Sequence, residues 1–202
     1  MAAPNKLVFL PGVGGDPAFW HPVGALLPGD KAYLGWPGAG AQPSAPDVRG
    51  FDDLVRRAVA ALDNRSAIVA QSMGGIVAVR VARAFPERLT HLVLAATSGG
   101  VDVARFGAED WRPDYRRAFP HAAPWLTETR PDHTADIGRI TTPTLLIWGD
   151  ADPISPLAVG QHLASLLPHA TLVVVPGGTH SLAKEQPAVV AAHIRDHLAA
   201  AR

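Results

Sequence analysis

The chain of 202 residues contains 48% hydrophobic and 18% charged residues, a composition typical of one folded domain with a sizeable core. Its 18 Lys and Arg residues balance 18 Asp and Glu residues, so the formal net charge is zero. This balance disfavours nucleic acid and anionic membranes as partners and favours a small, neutral ligand. The chain has no cysteine, which excludes disulfides, thiol nucleophiles and thiolate metal ligands.

The N-terminal stretch carries one four-residue apolar run, Leu7 to Leu10, which is too short for the core of a signal peptide. No later run approaches the length that spans a membrane, so we expect a cytoplasmic protein. The histidines show no convincing metal-binding spacing: His193 and His197 lie four positions apart but enclose no glutamate, and we assign them to the surface of an amphipathic helix. We expect neither a metal nor another cofactor.

Six short runs rich in Val, Leu and Ile predict buried β-strands, because continuous apolar character suits parallel strands covered on both faces. The runs are residues 6–10, 32–36, 67–71, 91–96, 144–148 and 171–175. Stripes at helical spacing lie between or after them: Phe51, Leu54, Val55, Ala58 and Leu62; Val159, Leu163, Leu166 and Leu167; Val190, Ile194 and Leu198. This alternation predicts an α/β fold with an open, mostly parallel sheet of about six strands flanked by helices.

Residues 99–143 interrupt the alternation, because they are too many for a simple connection between strands. Four aromatic residues, Trp111, Tyr115, Phe119 and Trp125, are spread through this polar, proline-containing segment. Since they cannot form a core of their own, we predict a short lid over the sheet with these side chains against the substrate. An ordinary pair of surface helices is the alternative. Residues 1–202 would then form a single domain with one insertion.

The stretch "IVAQSMGGIV" places Ser72 between a predicted strand and a predicted helix. The turn between them must be tight, and the small residues Ala70 and Gly74, two positions to either side, permit it. A serine at the tip of such a turn is well presented as a nucleophile. The N–H of Met73 follows it at the start of the helix, where developing negative charge is favoured. A helix cap is the alternative interpretation of Ser72.

A serine nucleophile needs a base and a group that orients the base. Both candidates follow later strands, at the edge where open α/β sheets bind their ligands. Asp150 and Asp152 follow the fifth run, and His180 follows the sixth. Asp152 precedes Pro153, whose ring favours an extended backbone that can project the carboxylate toward His180. We therefore predict Asp152 as the partner of His180 and Asp150 as a turn residue.

The order serine, acid, histidine, with the serine in a strand-turn-helix elbow, resembles the α/β-hydrolase superfamily. The stretches "FLPGVGGDPAFW", "WPGAGAQPS" and "FPERLTHLVLAAT" share the resemblance, which extends over nearly the whole chain. It implies Ser72 as nucleophile, His180 as base, Asp152 as the orienting acid, and the backbone N–H groups of Val13 and Met73 as the oxyanion hole. Within the superfamily the chain resembles small carboxylesterases and the pimeloyl carrier-protein ester hydrolase of biotin synthesis.

The chain departs from the family pattern at three places. The elbow begins with Ala70 instead of glycine, and Gln71 stands before the nucleophile where relatives often have histidine. Pro11 and Gly12 replace the His-Gly pair of the family, which removes a polar side chain that often braces the oxyanion loop. The rigidity of this loop must therefore come from another residue. Because the match starts at the first predicted strand, residue 6, we expect a minimal member without the opening antiparallel strands of many relatives.

The resemblance implies a serine hydrolase that cleaves a carboxylic ester, thioester or lactone through an acyl-enzyme on Ser72, without a cofactor. Two alternatives remain. Related enzymes use the same triad to hydrolyse carbon–carbon bonds, and some proteins of this fold bind a ligand without turnover.

Overall fold

One parallel sheet forms the centre of the computed structural model, which describes residues 4–200. Its strands are β1 (Lys6–Leu10), β2 (Asp30–Tyr33), β3 (Ser66–Gln71), β4 (Leu89–Ala95), β5 (Thr144–Gly149) and β6 (Ala170–Val175). Their order across the sheet is β2-β1-β3-β4-β5-β6, and all five pairings are parallel. Each predicted strand is present, which confirms the predicted sheet.

The second strand ends earlier than the predicted range 32–36. Its last residue is Tyr33, after which the chain leaves the sheet to reach the loop that follows β1. There the N–H of Trp36 donates to the carbonyl of Gly15 at 3.0 Å. The apolar residues at the end of this run therefore pack against a loop instead of extending the strand.

Nine helices are described within residues 4–200. They are α1 (His21–Gly24), α2 (Phe51–Ala61), α3 (Met73–Ala84), α4 (Arg112–Ala118), α5 (Trp125–Glu128), α6 (Thr134–Ile137), α7 (Leu157–Leu166), α8 (Leu182–Glu185) and α9 (Pro187–Ala199). Three short 3-10 turns lie at Pro17–Trp20, Pro86–Arg88 and Val103–Phe106. The three predicted apolar stripes correspond to α2, α7 and α9. Among these helices, none combines the length and the apolar character that crossing a membrane would require.

Helices cover both faces of the sheet. Alternate residues of a strand point to opposite faces, and in β3 Ile68 contributes to one apolar cluster while Val69 contributes to the other. The first cluster includes buried residues of α2, α3 and α7, and the second includes buried residues of α1 and α9. Both faces of the central strands are thus buried, which explains why the strand sequences are continuously apolar.

The segment 99–143 connects β4 to β5 and carries α4, α5 and α6. It contacts loops at the carboxyl ends of other strands. The N–H of Ala123 donates to Gly38 O at 2.8 Å, beyond β2, and the N–H of Glu109 donates to Pro153 O at 2.8 Å, beyond β5. The segment therefore lies at the edge of the sheet where the serine, the acid and the histidine are also found.

Candidate active site

Ser72 occupies the turn between β3 and α3 in a backbone conformation with φ 51° and ψ −122°. Positive φ is uncommon for a residue with a side chain and is maintained only where the surrounding structure fixes it. Here the N–H of Ser72 donates to Ala95 O at 3.1 Å, and the hydroxyl of Thr97 donates to Ser72 O at 2.5 Å. Ser72 stands at the N-cap position of α3, but its side chain makes no capping hydrogen bond to the helix.

The two glycines after Met73 allow α3 to approach the centre of the sheet closely. A Cβ atom on Gly74 would lie 2.5 Å from Pro11 O and 2.7 Å from Leu10 O, and one on Gly75 would lie 2.6 Å from Thr97 Cβ. Because a side chain at either position would collide with these atoms, the chain uses glycine there. The close packing places the first turn of α3 beside the loop that follows β1.

The structure brings the predicted serine, histidine and acid into one chain of hydrogen bonds. The Oγ atom of Ser72 lies 2.9 Å from Nε2 of His180, and Nδ1 of His180 lies 2.8 Å from Oδ2 of Asp152. The Asp152 side chain is completely buried, whereas that of His180 is 25% exposed. The two ring nitrogens of His180 thus connect a buried carboxylate to an accessible hydroxyl.

Backbone groups fix the Asp152 carboxylate. Its Oδ1 atom accepts from the N–H of Ile154 at 2.8 Å and from the N–H of Ser155 at 3.0 Å, which leaves Oδ2 for His180. The neighbouring Asp150 has a different contact: its carboxylate accepts from the N–H of Gly177 at 2.7 Å and joins the loops after β5 and β6. Asp152 therefore contacts His180, whereas Asp150 connects two loops.

Gln71 has a structural role that the sequence did not indicate. Its buried side chain donates from Nε2 to the carbonyl of His180 at 3.1 Å, across 109 positions of the chain. Its Oε1 atom also occupies the space that a Cβ on Gly12 would need. The one available signal was the position of Gln71 directly before Ser72, at the end of a strand.

The loop 11–15 lies against the serine, where the oxyanion hole is predicted. A Cβ on Gly12 would lie 3.1 Å from Cβ of Ser72, so the peptide between Gly12 and Val13 runs beside the nucleophile. On the other side, Met73 is the first residue of α3, and the first N–H groups of a helix have no partner within it. Both predicted donors thus belong to backbone segments adjacent to Ser72.

A cavity of about 420 Å³ opens at Ser72 and His180. Its apolar wall includes Phe51, Met73, Ile76, Val101, Leu126 and Ile154. Its charged wall consists of Asp102, Glu109, Asp110, Arg112, Arg130 and Asp132. Hydrogen bonds from Arg112 hold the pKa of Asp110 below its usual value. The guanidinium Nη1 of Arg112 lies 2.9 Å from Oδ1 of Asp110. Carboxylates outnumber guanidinium groups in this wall.

The four aromatic residues predicted as the ceiling of the pocket divide into two groups. Trp111 lines the cavity, whereas Tyr115, Phe119 and Trp125 are not part of its lining, so the expectation is wrong for these three. Trp111 and Phe119 stand at the two ends of α4 and Tyr115 lies within it. The Tyr115 ring packs against the rings of Trp111 and Phe119 at centroid distances of 5.5 and 5.1 Å. The Trp125 ring packs edge-on against Phe51 at 5.4 Å. The rings of Tyr115, Phe119 and Trp125 therefore stabilise the segment by packing instead of lining the cavity.

The alpha/beta hydrolase family model matches residues 7–115 and 101–193. The chain belongs to this family. Carbamate hydrolase RutD of Variovorax paradoxus is 28% identical, with 93% of this chain and 89% of RutD covered. Pimeloyl-[acyl-carrier protein] methyl ester esterase of Aliivibrio salmonicida is 24% identical, with 88% and 85% covered.

Solved structures share the fold of this chain. The enol-lactonase from Burkholderia xenovorans superimposes with a TM-score of 0.78 at 18% identity, with 99% of this chain and 93% of that chain covered. Together with the family match, this likeness confirms the α/β-hydrolase fold that the sequence predicted.

Proposed function

We propose that the protein is a serine hydrolase that cleaves a carboxylic ester, thioester or lactone through an acyl-enzyme on Ser72. The observation that carries the proposal is the chain of hydrogen bonds from Asp152 through His180 to the Ser72 hydroxyl. Such a chain allows His180 Nε2 to take the hydroxyl proton as Oγ attacks the substrate carbonyl. His180 then returns the proton to the leaving group, and water repeats the sequence to release the acid.

Asp152 acts through His180 in this mechanism. Its buried carboxylate fixes the tautomer with the proton on Nδ1, so that Nε2 is free to accept from Ser72, and stabilises the imidazolium that forms. The two backbone N–H groups that bind its other oxygen hold it in this orientation. The backbone N–H groups of Val13 and Met73 are the proposed donors to the oxyanion of the tetrahedral intermediate.

The cavity suggests the size and charge of the substrate. A volume of about 420 Å³ lies in the range of small-molecule sites and suits a short or medium acyl chain with its leaving group. The excess of carboxylates over guanidinium groups in the wall disfavours an acyl group with a negative charge of its own. Esters of uncharged acids are therefore the first probes to use.

The names of the relatives support an acyl substrate, since they describe a carbamate hydrolase, a methyl ester esterase and an enol-lactonase. A ligand-binding protein without turnover is a weaker candidate. Binding alone has no use for a strained serine whose hydroxyl is joined to a buried carboxylate through an imidazole.

A series of p-nitrophenyl esters tests the proposal. We expect kcat/KM to be highest for acetate, butyrate or octanoate and to fall for palmitate, because the cavity is too small for a long chain. The measurement is release of p-nitrophenolate by the purified protein, and the Ser72→Ala protein supplies the background rate for each ester. Equal rates for the two proteins with every ester would contradict the proposed function.

A further inference from the structure

Side-chain hydrogen bonds hold two carbonyl groups of the loop 11–15. The indole Nε1 of Trp36 donates to Pro11 O at 2.8 Å, and the hydroxyl of Tyr115 donates to Val13 O at 3.0 Å. Trp36 comes from the connection between β2 and α2, whereas Tyr115 comes from α4, which is 102 positions from Val13 in the chain. The segment 99–143 thus contacts the backbone that carries a proposed oxyanion donor.

The Tyr115 hydroxyl makes two hydrogen bonds in opposite senses. It donates to Val13 O and accepts from the N–H of Gly40 at 2.7 Å. The residue is 8% exposed, and its ring packs against the rings of Trp111 and Phe119. Burial raises the pKa of the hydroxyl above its ordinary value, so it retains the proton that it donates.

The loop 11–15 needs a partner such as the Tyr115 hydroxyl because its glycine-rich backbone is flexible. Gly12, Gly14 and Gly15 surround Val13, and glycine loses more conformational freedom on ordering than any other residue. A Cβ on Gly14 would meet no atom within 4 Å, so the loop is open on that side of Gly14.

We propose that Tyr115 is a positioning residue of the oxyanion hole, whose hydroxyl fixes the Val13 backbone so that the Val13 N–H is held toward Ser72. The hydrogen bond from Tyr115 holds the peptide between Val13 and Gly14, which contains Val13 O. The proposed donor, the Val13 N–H, belongs to the preceding peptide, on the other side of the Val13 Cα. A change in the first peptide therefore rotates the second. The inference rests on the proposed serine hydrolase function.

Tyr115→Phe tests the inference, with Tyr33→Phe as the matched control. Tyr33 is the other of the two tyrosines in the chain, and its ring stacks on Phe9 at 4.8 Å in the opposite apolar cluster. We expect Tyr115→Phe to lower kcat for p-nitrophenyl butyrate by about 10- to 100-fold, less than complete removal of an oxyanion donor, with KM nearly unchanged. Tyr33→Phe should leave both constants within about twofold of the wild type.

A boronic acid separates this effect from a general loss of structure. Phenylboronic acid forms a tetrahedral adduct with a nucleophilic serine, and this adduct resembles the transition state. We expect its Kd to rise in Tyr115→Phe by the same factor as kcat/KM falls. Equal kcat and equal Kd in Tyr115→Phe and the wild type would overturn the inference alone. Absence of ester turnover in the wild type would overturn the proposed function as well.

A second variant retains the tyrosine and changes only its acidity. In the Tyr33→Phe protein, Tyr115 is the single tyrosine, so biosynthetic incorporation of 3,5-difluorotyrosine alters this hydroxyl alone. The fluorinated hydroxyl loses its proton at lower pH, and a phenolate cannot donate to Val13 O. We expect activity to decline at lower pH than in the Tyr33→Phe protein with ordinary tyrosine. Identical alkaline profiles of the two proteins would overturn the inference, even if Tyr115→Phe does not fold.

Discussion

Replacement of Ser72 by alanine is expected to lower kcat toward p-nitrophenyl butyrate by about four to six orders of magnitude, because it removes the attacking oxygen. The turnover that remains would come from binding and from the oxyanion donors. The substitution should leave the fold intact, since the Ser72 side chain caps no helix and alanine has the same Cβ in the same strained backbone. Steady-state kinetics and the thermal unfolding midpoint measure the two effects.

Ser165→Ala is the control for this substitution. Ser165 lies on α7, is exposed, and uses its hydroxyl to bind a carbonyl of its own helix at 2.7 Å. Its replacement should leave kcat unchanged within about twofold, as expected for a surface position. If Ser72→Ala retained a tenth of the wild-type kcat, Ser72 would not be the nucleophile.

Asp152→Asn is expected to lower kcat by about four orders of magnitude. The Oδ1 site of Asp152 accepts two backbone N–H groups, so the amide oxygen of asparagine will take that site and its NH₂ group will face His180. An NH₂ group donates to Nδ1 and therefore favours the tautomer with the proton on Nε2. In that state His180 cannot accept the Ser72 proton. Steady-state kinetics of the variant measure the loss.

Asp150→Asn is the matched control, two positions away. Asp150 accepts one hydrogen bond from the N–H of Gly177, and the amide oxygen of asparagine can accept it equally well. We expect kcat within about threefold of the wild type, as for a conservative change at an exposed site. Full activity of Asp152→Asn together with collapse of Asp150→Asn would reverse the assignment of the acid.

The sheet could be predicted from the sequence because each of its strands is locally apolar. Ile68 and Val69 are both buried although they face opposite sides of β3, which is the pattern that a doubly covered parallel strand requires. The end of β2 was less predictable, since Trp36 is as apolar as a strand residue but is buried against a loop. Local composition predicts that a residue is buried but does not identify the element that packs against it.

The candidate site was predictable where chemistry restricts the residue types. A serine in an elbow, followed by an acid and a histidine after later strands, has few alternative explanations. The contacts that support these residues were not predictable, because they join distant positions through common side chains. Gln71 meets His180 O across 109 positions, and Tyr115 meets Val13 O across 102. The aromatic residues of the segment 99–143 likewise predicted contacts with the substrate, but their sequence did not distinguish Trp111, which lines the cavity, from Tyr115 and Phe119, which do not.

Covalent labelling with a fluorophosphonate tests the nucleophile most directly. The reagent phosphonylates a serine only when a neighbouring base activates it, so reactivity requires the arrangement of Ser72, His180 and Asp152 that the structure contains. Intact-mass spectrometry of the folded protein, followed by peptide mapping, should show one adduct per chain, located on Ser72, and none after unfolding in denaturant before labelling. Absence of an adduct on the folded protein, or an adduct on another serine, would contradict the assignment of Ser72 as the nucleophile.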